Sequence, residues 1–388
     1  MNRAPLHVLL FLAALASASA QTPPPVPLFS ADVVKSFTPA DNPISDAKAK
    51  LGDMIFDEKR LSSDGSVACN TCHSPRNGFT THTEASRGVG DQIGKRNAPS
   101  ILNAMFYKSM FWDGRAATLE EQSTLPILNP VEMGQKSPQD AVAKLAAIPE
   151  FVQAFQQVFG HPVNWEDMGK AVAAFERTRL STEAPFDRFM HGDQKALNAS
   201  QMRGWALFTG KARCAACHTY DPALPLFGDN RFRNTGAAAH KQDLNQLAKR
   251  AQQSAAAGVD KTQIDKLALE TDFSELGRFL VTKNSEDIGA FKTPFLRDVL
   301  LTGPYMHDGS LETLWDVVDF FNQGGERNPF LDAGMKPLGL TANEVDDLVN
   351  FLGALTSDRF SAEFRAAELD RQRTSYLYRR AAQRAAHR

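Results

Sequence analysis

Cysteine is scarce in this chain, with four in 388 residues, and none of the four stands alone. An excess of charge is also missing. Lys and Arg number 43 against 45 Asp and Glu, a formal net of −2, which argues against a nucleic-acid or membrane-surface role resting on global charge. Long alternating apolar–polar stretches are scarce, so an extended sheet is not expected. After the first twenty residues no segment is apolar enough to span a bilayer, which needs about 20 apolar residues. No transmembrane segment and no nucleic-acid partner are therefore expected.

What is present begins at the N-terminus. Arg3, the apolar run His7 to Ser17 and the small residues Ala18-Ser19-Ala20 have the order of a signal peptide, with cleavage after Ala20 and export to the periplasm. Residues 21–45 read as an N-terminal linker, extended over Gln21 to Pro27.

All four cysteines fall in two copies of one motif, Cys69-Asn70-Thr71-Cys72-His73 and Cys214-Ala215-Ala216-Cys217-His218. The pattern C-x-x-C-H attaches haem c: both thiols add to the vinyl groups and the adjacent imidazole reaches the iron. Two structural disulfides would leave the histidines unexplained. A zinc site would need the two pairs far closer in sequence. The two motifs point to two covalently bound haems.

Apolar residues recur at helical spacing over 140–159, 165–179, 311–321 and 341–355, the last opening with Thr341 and Glu344 in capping-box order. The expected fold is mainly α, with two cytochrome c-like haem domains and long loops, over 46–190 and 191–356. Residues 237–275 read as a polar insertion of surface helices around Gly258. Residues 357–388 read as a basic helical tail, solvated and packed loosely on the body.

Between and after the motifs lie Asn97-Ala98-Pro99-Ser100, Phe111-Trp112-Asp113-Gly114-Arg115-Ala116, Leu119-Glu120-Glu121-Gln122, Pro126, Val131-Glu132-Met133-Gly134, Thr302-Gly303-Pro304-Tyr305-Met306-His307-Asp308-Gly309 and Thr313-Leu314. In order and spacing this resembles the bacterial di-haem cytochrome c peroxidase / MauG family over roughly 46–355. The resemblance implies a peroxidatic N-terminal haem on His73 and an electron-transfer haem on His218. It implies Glu132 as the acid–base carboxylate, Gln122 and Pro126 as lining of the same distal pocket, and Trp112 as the residue between the haems. It also implies one calcium ion at Asn97, Thr302 and Pro304, the latter two through carbonyls or a hydroxyl.

Two departures from the family pattern stand out. Where many members place a loop histidine over the N-terminal haem, this chain has Gly88-Val89-Gly90; valine cannot bind iron, and His82, seven residues earlier, is the lesser alternative because imidazole is a common ligand. The N-terminal haem is therefore expected to be open without reductive activation. Where the family has Met or Tyr as distal ligand of the second haem, this chain has Phe321, which cannot ligate, so that haem takes a substitute ligand or has a vacant or water-filled site. Met335 is the preferred substitute, with Met306 and His240 behind it, although a methionine at 335 equally suits core filling. His307 is expected to make a structural hydrogen bond between the domains.

The function so implied is reduction of hydrogen peroxide to water with electrons from a small periplasmic cytochrome c or cupredoxin. The alternative is a MauG-like oxidase that modifies a partner protein, and the third reading is a plain electron carrier. Members of the family also dimerise, so a homodimer is a further implied assembly.

Overall fold

The computed structural model describes residues 25–386 apart from 241, 256, 257 and 259. The expected signal peptide, residues 1–20, and residues 21–24 lie outside the described residues. The chain is mainly helical, and among the described residues two strands, β1 (Phe232–Arg233) and β2 (Phe291–Lys292), form one short antiparallel pair. Among the described residues no helix is long and apolar enough to cross a membrane.

The chain builds one arrangement twice. In the first half, α2 (Asp46–Phe56) precedes the C-x-x-C-H motif and crosses α4 (Trp165–Arg177). Ser45 and Asn164 start these helices by accepting the N–H groups of Lys48 and Asp167. They approach so closely at Gly52 that a Cβ there would lie 2.0 Å from the Ala171 carbonyl oxygen. In the second half, α5 (Ala199–Thr209) crosses α9 (Ala342–Gly353) in the same way, and a Cβ on Gly204 would lie 2.1 Å from the Asp347 carbonyl oxygen. The expected capping box opens α9: the Thr341 hydroxyl accepts from Glu344 N–H, and Glu344 Oε2 accepts from Thr341 N–H at 2.8 Å.

Each half has its own apolar core. Leu51, Ile55, Phe56, Phe151, Phe155 and Phe175 fill the first, and Phe186, Phe208, Phe227, Trp315, Leu348 and Phe351 fill the second. The duplication extends to loop geometry. Phe111 and Met306, each one residue before Trp112 and His307, both take left-handed backbone angles (φ 64° and 72°). Each sits in a loop closed by an antiparallel bridge, Met110 to Ala116 and Tyr305 to Leu311.

Three segments are bound to the body more firmly than the sequence suggests. Residues 25–45 carry α1 (Ala31–Ser36), bury Phe29 against Met105 and Phe106, and bury Asn42. The Asn42 amide donates to Glu120 (2.6 Å) and to the Lys170 carbonyl (3.0 Å). In 237–275, α6 (Leu244–Ala255) and α7 (Lys261–Glu270) do lie on either side of Gly258, but they are not merely surface helices. Leu244, Leu247, Ala248 and Ala251, at spacings of three and four, bury one face against Leu276, Phe279 and Phe291. Polar composition hid that stripe. The tail, α10 (Ala362–Ala386), is not loose either. Its Gln372, 1% exposed, accepts from the N–H of Leu314 (3.0 Å) at the start of α8 (Leu314–Asn322) and donates to the Leu300 carbonyl (3.0 Å).

Candidate haem cavity and catalytic site

Each C-x-x-C-H segment curls into a single turn, so that the backbone N–H of His73 reaches the Cys69 carbonyl and that of His218 the Cys214 carbonyl, both at 2.9 Å. The two rings are then held alike. His73 Nδ1 lies 3.1 Å from the Phe79 carbonyl oxygen, and His218 Nδ1 lies 3.0 Å from that of Phe227. Both phenylalanines take left-handed backbone angles (φ 60° and 59°) to aim those carbonyls. A second carbonyl, of Pro99 or Pro294, also faces each ring. Burial pushes both imidazoles below their ordinary pKa and so favours the neutral form. With Nδ1–H donated to a carbonyl, the Nε2 lone pair is left for a metal, the usual arrangement behind a ligating histidine.

No disulfide joins any of the four cysteines, and burial raises each thiol, Cys72 to about 11 and Cys214 to about 12. The two pairs pack against different cores, Cys69 on the first and Cys214 on the second, so they do not converge on one ion.

A largely apolar cavity opens beside Cys69, Cys72 and His73, and Trp112, Gln122, Pro126 and Glu132 share its wall. The structure thus brings all four expected catalytic positions to the first C-x-x-C-H motif. A thiol pair, one tethered imidazole and flat apolar walls from Phe56, Val67 and Val172 suit a haem.

Local structure explains the placement. Gln122 and Pro126 stand four residues apart on α3 (Leu119–Leu128), hence on one face, and Thr118 caps that helix by accepting Glu121 N–H at 3.2 Å. Glu132 follows in a tight turn, where Asn129 Oδ1 accepts the N–H groups of Val131 (2.9 Å) and Glu132 (3.3 Å). The 88–90 loop is clamped onto this turn. Val89 N–H donates to the Glu132 carbonyl (2.9 Å), and a Cβ on Gly88 would stand 1.8 Å from the Val131 oxygen. The Val89 side chain is buried against Gly134. His82 is exposed, with Glu368 of α10 in its electrostatic range. Among the residues lining the cavity His73 is the one histidine.

Trp112 is fixed at both ends: its indole N–H donates to the Asn97 carbonyl (2.9 Å), and its own carbonyl accepts from Lys292 of β2 (2.8 Å). Burial works against the charge of the adjacent Asp113, but Arg115 and Arg96 outweigh it and hold that carboxyl well below its usual range. Arg96 also donates to the Ser274 carbonyl (2.9 Å), which ties this loop to the second half. The His307 side chain is buried and bonds within the second half, Nε2 to Glu275 at 2.8 Å, and stacks on Phe291 at 3.7 Å, so the hydrogen bond expected between the domains is made by its backbone carbonyl rather than by its imidazole.

Asn97 N–H donates to the His307 carbonyl (2.8 Å), and its side-chain amide donates to the carbonyls of Thr83 (3.1 Å) and Glu84 (3.3 Å). The Thr302 hydroxyl donates to the Val299 carbonyl (3.1 Å), and Pro304 follows a cis peptide bond. In the second half Phe321 is half-buried and edge-on to Phe320. Met335 is half-buried with its methyl group against Gly325, and Met306 is half-buried. The side chain of His240 lies outside the described residues.

Three cavity residues escaped the sequence reading. Glu176, on α4, is 4% exposed; burial pushes its carboxyl up to about 8, and its Oε2 has no hydrogen-bond partner among the described residues. Its only signal is a charge four residues after Val172 on a buried stripe. Lys292 is buried, lowered to about 7 by desolvation, with its nitrogen 4.2 Å from the Tyr107 ring centroid. Tyr107 itself lines the cavity.

A helical chain that repeats one cysteine–histidine arrangement in two halves, with a carboxylate-bearing cavity at the first, has the build of a di-haem oxidoreductase. The chain belongs to the di-haem cytochrome c peroxidase family, whose description matches residues 46–195. It is 40% identical to a protein named cytochrome-c peroxidase IdrP1 of Denitromonas iodatirespirans, over 89% of each chain. It is 37% identical to methylamine utilization protein MauG of Methylorubrum extorquens, over 82% of this chain and 81% of that one. In structure it is similar to a MauG-like protein associated with microbial copper homeostasis, with a TM-score of 0.70, 27% identity, and coverage of 91% of this chain and 99% of that one.

Proposed function

We propose that this protein is a periplasmic peroxidase that reduces hydrogen peroxide to water, using two electrons from a small cytochrome c or cupredoxin. The observation that carries the reading is the single cavity in which Glu132, Gln122 and Pro126 join Cys69, Cys72 and His73. In this reading Cys69 and Cys72 hold one haem covalently, and Cys214 and Cys217 the other. His73 and His218 would hold the two irons through Nε2. Residues 46–190 form the peroxidatic domain and 191–356 the electron-transfer domain.

Haem bound there supplies an iron that binds peroxide and exchanges electrons. Glu132 takes the proton from the near peroxide oxygen and returns it to the far one, so that the departing group leaves as water. Gln122 orients the peroxide by hydrogen bonding, and Pro126 narrows the wall and limits water. Two protons and two electrons then balance the conversion of one peroxide to two waters. Val89, buried at the loop position where a histidine would act as a cap, supports an N-terminal haem open in the resting protein. Asn97, Thr302 and Pro304 would hold calcium through oxygen atoms, with waters completing its shell. Met335 would be the distal ligand of the second haem. Export follows from the signal-like N-terminus, and a homodimer from the family's habits.

The test is steady-state peroxide consumption with a reduced small cytochrome. Glu132→Gln is expected to lower kcat/KM by about 10²–10⁴ with haem content unchanged, as for loss of a general acid–base group. Unchanged turnover in that variant would overturn the assignment. The MauG likeness and Val89 favour a second reading, oxidation of residues on a partner protein. Slow turnover with a long-lived oxidised state would select it.

A further inference from the structure

Peroxide reduction as proposed needs electrons to pass from the second haem site to the first, and the family resemblance gives Trp112 the place between them. Tyr107 belongs to the first half and lines the cavity beside His73. Its ring lies flat on that of Phe295 from the second half, with centroids 3.9 Å apart and planes 1° from parallel. Its hydroxyl oxygen accepts the backbone N–H of Phe295 at 2.9 Å. One peptide bond back, the carbonyl of Pro294 faces the His218 ring. The Phe295 ring itself presses on Gly228, where a Cβ would stand 2.7 Å from Cδ1. Gly228 follows Phe227, whose carbonyl holds His218 Nδ1 at 3.0 Å.

Resting on the two-haem reading above, we propose that Tyr107 and Phe295 form a second electron path between the haem sites, running from the wall of the first cavity through the Tyr107–Phe295 contact to His218. The geometry supplies two parallel couplings. One is through bonds: phenol oxygen, hydrogen bond, peptide unit of Pro294 and Phe295, imidazole. The other is through the stacked rings and the 227–228 backbone. Trp112 is tied differently, because its indole donates to Asn97, two residues before the Pro99 carbonyl that faces His73. The tryptophan is thus anchored to the ligand clamp of the first site and the tyrosine to that of the second. The electron leaves the second haem and arrives at the first. Neither ring is oxidised overall, and no proton moves. Burial pushes the Tyr107 phenol well above its ordinary pKa, so it stays a neutral hydrogen-bonded bridge.

The experiment uses the full chain carrying both haems. A flash of photoreduced flavin semiquinone delivers one electron, and its redistribution between the haems is followed spectroscopically. This readout does not depend on peroxide. In a Trp112→Phe background, adding Tyr107→Phe breaks the hydrogen bond and keeps the ring. Adding Phe295→Leu instead removes the stack and keeps the backbone N–H. Each double variant is expected to slow redistribution by about tenfold relative to Trp112→Phe alone, a barrier change of about 1.4 kcal/mol. Haem content and both midpoint potentials should stay unchanged, which a misfolded variant would not satisfy. Rates equal to that of Trp112→Phe in both double variants would overturn the path, and so would complete loss of redistribution in Trp112→Phe alone. Failure of the peroxidase reading shows separately, as a first haem whose absorption does not respond to peroxide while redistribution after the flash persists.

Discussion

Glu176 shows how much one buried group can reveal at the scale of a residue. Its carboxyl sits in the cavity wall, where burial raises it from an ordinary 4.5 to about 8, with Arg177 opposing and Glu120 reinforcing the shift. Cys69 lies within its electrostatic range. Between those two pH values an unfolded chain ionises this group while the folded chain keeps it protonated. The unfolded state therefore loses the proton first, and folding stability falls as pH rises through that window. Glu176→Gln keeps the shape and removes the titration. It is expected to flatten the fall in Tm between about pH 5 and pH 8, measured by thermal unfolding; an unchanged slope would show that the group ionises freely. The sequence could not disclose this, because protonation depends on what the fold places around the carboxyl.

Secondary-structure elements carry a different kind of information. The crossings of α2 with α4 and of α5 with α9 both depend on a glycine that lets one helix touch the other's backbone. Gly204→Ala would set a methyl group 2.1 Å from the Asp347 carbonyl oxygen, so the helices must part. Overpacking of this kind costs about 1–3 kcal/mol, and the loss is expected as a lower urea midpoint with an unchanged m-value. Gly52→Ala should behave alike in the first half. Helix existence was readable from apolar spacing, and the Thr341 cap from its partner Glu344. The docking of α6, α7 and α10 was not. Their charged and polar surfaces outweigh a thin apolar stripe or, in α10, one glutamine that satisfies the backbone of α8.

For the molecule as a whole, the duplicated histidine clamp is the organising feature. Each half ties its imidazole to a left-handed phenylalanine carbonyl and backs it with a core of its own. The two sites should therefore load independently. In a chain carrying Cys69→Ala and Cys72→Ala, the haem content measured after denaturation is expected to fall from two per chain to one, with the second haem's spectrum retained. Loss of both would show that the halves cannot mature apart.

The sequence by itself determined the two C-x-x-C-H motifs, the mainly helical class and the residues that resemble a peroxidase site. These are local patterns, or patterns of order along the chain, and they survive without coordinates. Only the tertiary structure decided that Glu132, Gln122, Trp112 and His73 share one cavity, that Val89 is clamped away from it, and that Tyr107 lies flat against Phe295. Those facts join residues distant in sequence, and their geometry comes from close helix crossings and buried hydrogen bonds that spacing along a chain does not encode.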